Sequence, residues 1–429
     1  MPAARYRLLA TLQPHLFPAR LPARLVSAAA AALVLTSCAH RAAPVDPGAA
    51  DCGLQPAVPR VELIGTAAIA AGTDVLGTAF GGISGIDYDP ASGRYLLISD
   101  DRSALHPARV YTAQLHYTLK GLQVPKITAV HTLRHASGAA FPSPRHPVPG
   151  IDVPDAEALR WLPGGQRFLW TSEGDFARGF GPQLRESLWD GAAVRDLPLP
   201  DSFQPPPSQG RGPRSNATLE GLALTPDGRT AWLAMETAWL QDGPRPTPQA
   251  PGGPLRITAI DVASGAALRQ IAYVPGAVPH ARRLPWGPQL NGVSEILADG
   301  PHHLLVLERA YSAGAGFSAR LYRIDTRSGS DTLTIDALTA GNHTPVARQC
   351  VADLGAMLGT TLGAGTLDNL EGMAWGAPLP GMPQVERVIV FVSDDNFNPA
   401  QATQFIAVRY RGPAEGPQGH RESGTTASP

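Results

Sequence analysis

The sequence has only two lysines, Lys120 and Lys126, and three cysteines among its 429 residues. Its 35 basic residues balance 36 acidic ones, and the resulting net charge of -1 gives no basic surface of the kind that binds nucleic acid. No Gly-x-Ser-x-Gly elbow, phosphate-binding loop or dinucleotide-binding motif is present. These absences argue against a nucleic-acid-binding protein, a hydrolase built on that serine elbow and a nucleotide-binding enzyme.

The apolar stretch at residues 25–35 is too short to span a bilayer as a stable helix. It follows several arginines and precedes small residues, which is typical of a secretory signal. The sequence Leu-Thr-Ser-Cys that ends at Cys38 resembles the lipobox of bacterial lipoproteins. The resemblance implies that residues 1–37 are a signal peptide, that Cys38 is lipidated and that residues 38–55 tether the protein to the cell envelope. Ala39 then implies the outer membrane, facing the periplasm or the cell surface. A plain signal peptide with an incidental cysteine is the alternative.

Glycine and proline are abundant, with 45 and 43 residues, and favour a loop-rich β protein over a helical bundle. One pattern recurs five times: an alternating apolar run, a turn rich in Gly, Pro or Asp, and a second β-rich run that ends in charged residues. Self-similarity of this kind predicts a repeat architecture. The copies are residues 83–101, 156–175, 218–236, 293–309 and 370–395.

Each copy predicts a β-hairpin, and a third β-rich segment follows every hairpin. A fourth segment fits before the next copy in most cases, so the fold class is all-β, a β-propeller of four-stranded antiparallel blades. Five blades are recognised and a sixth, degenerate one stays open. The last unit has only three strands, and residues 61–69 are predicted to complete it and close the ring. The propeller is placed at residues 56–411, followed by a disordered tail at 412–429.

The recurring acids have a regular spacing within the hairpins. Glu157 and Glu173, like Glu220 and Glu236, lie sixteen residues apart. Because antiparallel pairing brings the start of one strand beside the end of the next, both acids of a hairpin should lie at the same end. The first strand of each blade lines the central channel of a propeller, so the acids should converge on one mouth.

Carboxylates and hydroxyls are ligands for a hard cation, and calcium is the predicted cofactor. Carboxylates that cap backbone groups between blades are the structural alternative. Arg102 and Arg309 follow acids of the repeat and are predicted to bind an anionic part of a substrate, with ion pairing to those acids as the alternative. The predicted cation ligands are Ser84, Asp100, Asp101, Glu157, Glu173, Glu220, Glu236, Ser294, Glu295, Glu308, Glu371, Asp394 and Asp395.

Four segments carry a resemblance to a known family: "ISGIDYD…SDDR", "DAEALRW…TSEGD", "LEGLAL…ME" and "NLEGMAW…VSDDNF". They resemble phytase-like proteins, the family called esterase-like activity of phytase, over about residues 61–410. The resemblance implies a propeller and calcium-dependent hydrolysis of phosphoesters or other esters. In this first hypothesis, the acids Glu157, Glu220 and Glu371 of the repeat are the predicted catalytic residues. The substrate would be a small anionic or ester molecule and the protein a monomer. A surface-tethered propeller that binds calcium for stability, and a ligand or protein without catalysis, is the second hypothesis.

Two cysteines remain for a disulfide bond. An exported protein enters an oxidising compartment, so Cys52 and Cys350 are predicted to pair, and two unrelated thiols are the alternative. Cys52 precedes the predicted closing strand, and Cys350 lies where the last strand of the fourth blade is expected.

Lipidation at Cys38 predicts a specific change in the Cys38→Ser variant. Without the thiol no lipid can be attached, so the variant should accumulate as an unprocessed precursor without lipid. Metabolic labelling with a radioactive fatty acid, together with membrane fractionation, measures both effects. Unchanged membrane association and labelling in the variant would show that Cys38 is not the lipidation site.

Overall fold

The computed structural model describes residues 60–204, 210–359, 366–383 and 385–412. Cys38, Cys52 and the predicted signal peptide, tether and most of the tail lie outside these residues. Within the described ranges, no helix has the length and apolar character needed to cross a membrane.

Five four-stranded antiparallel sheets, the blades, make up the fold of the described residues and confirm the predicted β-propeller. The first strands of successive blades contact one another all the way round, including blade 5 against blade 1, so the ring is closed with five blades.

Blade 1 consists of Ile83–Asp89, Arg94–Ser99, Arg109–Gln114 and Lys126–Thr132. Blade 2 consists of Ala156–Trp161, Arg167–Ser172, Gln183–Leu188 and Ala193–Leu197. Blade 3 consists of Leu219–Leu224, Thr230–Met235, Leu255–Asp261 and Ala267–Tyr273. Blade 4 consists of Gln289–Ala298, His303–Ser312, Gly316–Asp325 and Arg348–Asp353.

Blade 5 contains the two ends of the described chain. Its outermost strand, Arg60–Ala70, pairs with Ala402–Arg411 and thereby joins the start of the propeller to its end. This confirms the prediction that a segment at residues 61–69 closes the ring. The strands of blade 5, from the channel outwards, are Asn369–Trp375, Glu386–Asp394, Ala402–Arg411 and Arg60–Ala70.

Short elements connect the blades. Two-stranded ribbons are formed by Thr73–Val75 with Thr78–Phe80 and by Tyr117–Thr118 with Gly121–Leu122. The helical elements of the described residues are the 3₁₀ turns Phe176–Arg178 and Asp201–Phe203 and the α-helix Leu354–Gly359. Cys350 lies in the last strand of blade 4, as expected, and is disulfide-bonded. Its predicted partner, Cys52, is outside the described residues, so that pairing stays a prediction.

The core lies between the blades because the inner strands are apolar on both faces. In Leu219–Leu224, for example, the neighbouring residues Leu222 and Ala223 point to opposite faces and both are fully buried. Burial of one leucine side chain contributes about 1.5–3 kcal/mol. Packing of blade against blade around the ring is therefore the main source of stability.

A buried ion pair lies at the centre of the ring. The Arg160 guanidinium in blade 2 is 2.9 Å from the Glu295 carboxylate of blade 4, and both side chains are shielded from solvent. Glu295 in turn accepts a hydrogen bond from the Leu222 backbone amide of blade 3 (2.9 Å). The guanidinium also donates to backbone carbonyls of blades 1, 2, 4 and 5, namely those of Ile86 (3.1 Å), Leu159 (2.6 Å), Ile296 (2.8 Å) and Met373 (3.0 Å). One side-chain pair thus connects all five blades.

Replacement of Arg160 should therefore destabilise the whole propeller. We expect Arg160→Leu to lower the free energy of unfolding by about 3–5 kcal/mol, because Glu295 would be left as an unpaired buried charge. The double variant Arg160→Leu/Glu295→Leu should recover part of the loss, since the uncompensated charge is gone while the carbonyls remain unpaired. Urea unfolding of the three proteins measures these differences. Equal unfolding midpoints would contradict the role of the pair.

Candidate functional site

A β-bulge near the start of each inner strand positions the first set of predicted ligands. The pairing register shifts between Ile83 and Gly85 in blade 1, and an equivalent shift occurs in each of the other four blades. A bulge leaves a residue out of the ladder and redirects its side chain. The five shifts occur at Ser84, Glu157, Glu220, Ser294 and Glu371.

The second set of acids follows the strand paired with each bulge. In blade 3, Leu219 pairs with Met235, so Glu236 comes directly after the paired residue and lies beside Glu220 at the same end of the hairpin. Blades 1, 2 and 5 have the same arrangement and place Asp100, Glu173 and Asp394 there.

These acids meet in a cavity of about 680 Å³ at one mouth of the channel. The cavity is lined by eight carboxylates: Asp100, Asp155, Glu157, Glu173, Glu220, Glu236, Glu371 and Asp394. Among the described residues, three of them, Asp155, Glu157 and Glu173, each offer an oxygen within 4.8 Å of the others. Asp155 was not predicted as a ligand. Its position two residues before Glu157 was the available signal, because residues i and i+2 of an extended chain share a side.

Burial raises the pKa of seven carboxyl groups that line the cavity. Removal from water disfavours the charged form, and repulsion between neighbouring carboxylates adds to the effect. The pKa of Asp155 is raised to about 6 by burial, although the nearby Arg102 guanidinium partly opposes the change. Raised pKa values are also found for Asp100, Glu157, Glu173, Glu220, Glu371 and Asp394.

Arg309 is a cation in this acidic cavity. One of its guanidinium nitrogens lies 3.0 Å from Glu371 and another 3.5 Å from Glu236. Burial alone would lower the pKa of Arg309, but the surrounding carboxylates raise it above its ordinary value. Arg309 therefore joins blade 3 to blade 5 across the mouth and stays charged.

In blade 4, Arg309 rather than the predicted ligand Glu308 occupies the position that holds an acid in the other hairpins. Val293 pairs with Glu308, so the residue that follows the pair is an arginine where the other blades have an acid. Glu308 points between blades 3 and 4, where it accepts hydrogen bonds from Tyr273 (2.6 Å) and Asn291 (2.8 Å) and is paired with Arg348. Placing Glu308 at the mouth by spacing alone was therefore wrong by one residue.

Several other predicted ligands lie outside the cavity, where they form ion pairs and hydrogen bonds within the protein. Asp101 pairs with Arg109 and accepts backbone amides of the following loop, including that of Leu105 (2.8 Å). Asp395 accepts the Gly82 amide (2.9 Å) and so links blade 5 to blade 1. Glu295 belongs to the central ion pair. These three acids have structural roles in the ring. The structural alternative to cation binding predicted such roles for all the acids of the repeat.

The remaining predicted residues lie beside the cavity but do not line it. The Ser294 hydroxyl donates to the Leu370 carbonyl (3.0 Å), and Ser84 is buried at the bulge of blade 1. Arg102 lies 3.3 Å from Asp155, with its side chain 37% exposed. It neutralises a cavity carboxylate, as the ion-pair alternative proposed.

The family model described as esterase-like activity of phytase matches residues 78–397 of this sequence. The chain belongs to the phytase-like family. The predicted resemblance is thereby confirmed, and the chain is a β-propeller of a hydrolase-type family. No curated protein matches the sequence.

Three solved structures show a distant likeness to this phytase-like propeller. The catalytic domain of a GH62 α-L-arabinofuranosidase from Coprinopsis cinerea is 10% identical, with a TM-score of 0.43, over 83% of this chain and 98% of that one. An α-L-arabinofuranosidase from Podospora anserina, in complex with cellotriose, is 9% identical, with a TM-score of 0.39, over 84% and 99%. Hydrazine synthase of Kuenenia stuttgartiensis is 13% identical, with a TM-score of 0.31, over 72% of this chain and 64% of its own.

The raised carboxyl pKa values predict how metal-free stability depends on pH. A carboxyl group whose folded pKa is raised favours its neutral form, so its stabilising contribution is present below the ordinary pKa and is lost as pH rises through the folded value. With Asp155 at about 6, the protein in EDTA should unfold at a lower temperature at pH 7.5 than at pH 5. A bound cation would offset the repulsion and stabilise by about 3 kcal/mol at a hundredfold excess over its Kd.

Thermal unfolding in calcium and in EDTA at both pH values measures this effect. The gap between the two curves should widen from pH 5 to pH 7.5, and Glu220→Gln should narrow it at pH 7.5. Glu62→Gln is a matched control, because Glu62 is exposed on the outer strand of blade 5. Identical curves in calcium and EDTA at both pH values would show that the cavity holds no cation.

Proposed function

We propose that this phytase-like propeller is a calcium-dependent hydrolase of phosphoesters or other esters that acts at its acidic mouth. The observation that supports this most is the convergence of Asp155, Glu157 and Glu173, whose oxygens lie within 4.8 Å of one another in an open cavity. Buried carboxylates at this distance repel one another strongly unless a proton or a cation lies between them.

The residues present fit a calcium ion. Calcium binds oxygen ligands at about 2.3–2.6 Å, so two of its ligands are at most about 5 Å apart, and the three carboxylates satisfy that limit. Neither histidine nor cysteine is among the described residues that line the cavity, which favours a hard cation over zinc or copper. A bound calcium ion would polarise the scissile group and lower the pKa of an attacking water.

Glu220 is best placed to act as the general base. Its carboxylate lies on a bulge, lines the cavity and accepts no hydrogen bond from any described residue. In the proposed reaction it removes a proton from water while the water oxygen bonds to the carbonyl carbon or the phosphorus. The bond to the leaving alcohol then breaks, and the proton passes to the alcohol oxygen. Glu157 belongs to the group that would hold the ion.

Arg309 would stabilise the negative charge that develops on the substrate oxygen. Its guanidinium is fixed by Glu371, which also accepts a hydrogen bond from the Asn369 side chain (2.9 Å). A donor held in place before reaction stabilises a transition state without a reorganisation cost. Glu371 thus acts through Arg309 as a positioning residue.

A non-catalytic, calcium-stabilised propeller that binds a ligand or a protein is the second candidate. The supporting observation is that some cavity acids also join blades: Glu173 of blade 2 accepts the Thr218 amide at the entry to blade 3 (2.5 Å). For either function, the lipobox-like sequence at Cys38 supports anchoring by lipid in the bacterial envelope, at the outer membrane, and we propose that the protein is a monomer.

Hydrolysis should require both calcium and Glu220. With 4-nitrophenyl phosphate and 4-nitrophenyl acetate as substrates, we expect EDTA to abolish release of nitrophenol and added calcium to restore it. Glu220→Gln should lower kcat/KM by about 100-fold or more, the usual contribution of a general base, and Glu62→Gln should leave it unchanged. Full activity in EDTA or in Glu220→Gln would contradict the mechanism. Calcium-dependent stability without turnover would favour the non-catalytic candidate.

A further inference from the structure

Blade 4 has an extension over the mouth that blades 1 to 3 lack. Its first three strands, Gln289–Ala298, His303–Ser312 and Gly316–Asp325, have ten residues each, whereas the strands of blades 1 to 3 have five to seven. The additional residues of the first two strands continue the sheet past the channel opening. They are paired to the last residue, since Gln289 lies opposite Ser312 and Ser312 opposite Gly316. The extension is therefore an ordered sheet rather than a loose loop.

The extension bears an apolar row on its channel side. Leu290 pairs with Tyr311, and Tyr311 pairs with Phe317, so the three side chains lie side by side across adjacent strands. The rings of Tyr311 and Phe317 have centroids 4.7 Å apart at an angle of 49°. All three side chains line the same cavity as the eight carboxylates, and all three are only partly buried.

The row continues the face that carries Arg309. Residues two apart on a strand point to the same side, so Tyr311 lies directly beyond Arg309 on that face. A molecule with one end at Arg309 would therefore reach the apolar row with its other end. The three side chains of the row are partly exposed where the mouth meets solvent.

The charge of the cavity restricts the kind of molecule that can enter. Eight carboxylates line the cavity with Arg245 and Arg309, and Arg102 pairs with one of them from beside the cavity, so five negative charges are in excess when all groups are ionised. One bound divalent cation would offset only two of them. A field of one sign in a cleft repels ligands of that sign, and a polyanion such as a multiply phosphorylated molecule is disfavoured.

We propose that Leu290, Tyr311 and Phe317 form a subsite that holds a flat apolar group, such as an aryl ring, of an uncharged ester substrate. The proposal rests on the hydrolase function proposed above and narrows it from phosphoesters or other esters to neutral carboxylic esters. In the bound state the ring lies against the aromatic pair and the ester group lies near Arg309 and Glu220.

Binding of an uncharged amide tests the subsite without turnover. Acetanilide has the shape of phenyl acetate but is far more resistant to hydrolysis, and its affinity for the full-length protein in calcium buffer can be measured by isothermal titration calorimetry. We expect Tyr311→Ala to weaken binding about tenfold, through lost stacking and apolar contact, and Tyr311→Phe to bind like the wild type. Phe317→Leu, which keeps apolar volume but removes the ring, gives an independent second variant. Thermal unfolding checks that each variant is folded.

Kinetics with matched substrates tests whether the enzyme prefers neutral carboxylic esters to phosphoesters. Tyr311→Ala should raise KM about tenfold for phenyl acetate while leaving kcat and the KM for ethyl acetate unchanged. Wild-type kcat/KM should be higher for phenyl acetate than for phenyl phosphate, which has the same ring but two more negative charges.

The outcomes separate the subsite from the proposed function. Acetanilide binding that depends on the ring of Tyr311 supports the subsite. If no ester is hydrolysed, the hydrolase function is contradicted, but ring-dependent acetanilide binding still supports the subsite. Acetanilide binding that is absent, or equal in wild type and Tyr311→Ala, overturns the subsite. Preference for phenyl phosphate over phenyl acetate overturns the assignment to neutral esters.

Discussion

The Arg160–Glu295 pair is the interaction on which the geometry of the mouth depends. A five-bladed ring leaves a channel that is lined by backbone groups, and polar backbone groups without partners are costly when they are buried. The Arg160 guanidinium has five N–H donors in a rigid plane, more than any other side chain, and donates to carbonyls of four blades. Glu295 neutralises the charge and accepts a hydrogen bond from blade 3, the one blade to which Arg160 does not donate. The inner strands are thereby held at a fixed separation. Because the bulges are part of these strands, the distance between the bulge residues at the mouth is fixed as well.

The site is assembled at positions that weaken the sheet. A bulge disrupts pairing in every inner strand, and the carboxylates that the bulges direct into the cavity are largely buried and repel one another. Their raised pKa values express that cost. The ring tolerates it because closure is extensive: the outermost strand of blade 5 pairs along nearly its whole length, from Arg60 with Arg411 to Ala70 with Ala402. The stability of the blades offsets the repulsion between carboxylates and the lost strand pairing at the mouth. Functional sites in proteins commonly reduce stability in this way.

Much of the fold could be predicted from the sequence because it is encoded locally. Alternating apolar residues, turn residues and the fivefold repeat are all short-range patterns, and the closing strand at residues 61–69 was required by the incomplete last blade. Contacts between distant blades have no such local pattern. Nothing in the sequence connects Arg160 with Glu295, and a one-residue difference in the pairing of blade 4 exchanged Glu308 for Arg309 at the mouth. The aromatic row was missed for the same reason, since Tyr311 and Phe317 meet only when the long strands of blade 4 pair.

Hydrogen bonds distinguish the structural acids of the repeat from three of the acids in the cavity, while other cavity acids, such as Glu173, both line the cavity and accept a backbone amide. Asp101, Glu308 and Asp395 lie away from the cavity, and each accepts backbone amides as a capping residue does. Within the cavity, by contrast, the side chains of Asp100, Glu157 and Glu220 accept no hydrogen bond from the described residues. These three carboxylates line the cavity, so their oxygens are available to water or to a ligand rather than to the protein. Structural capping therefore explains Asp101, Glu308 and Asp395 but not Asp100, Glu157 and Glu220, and a cation with its bound water would supply partners for these three carboxylates.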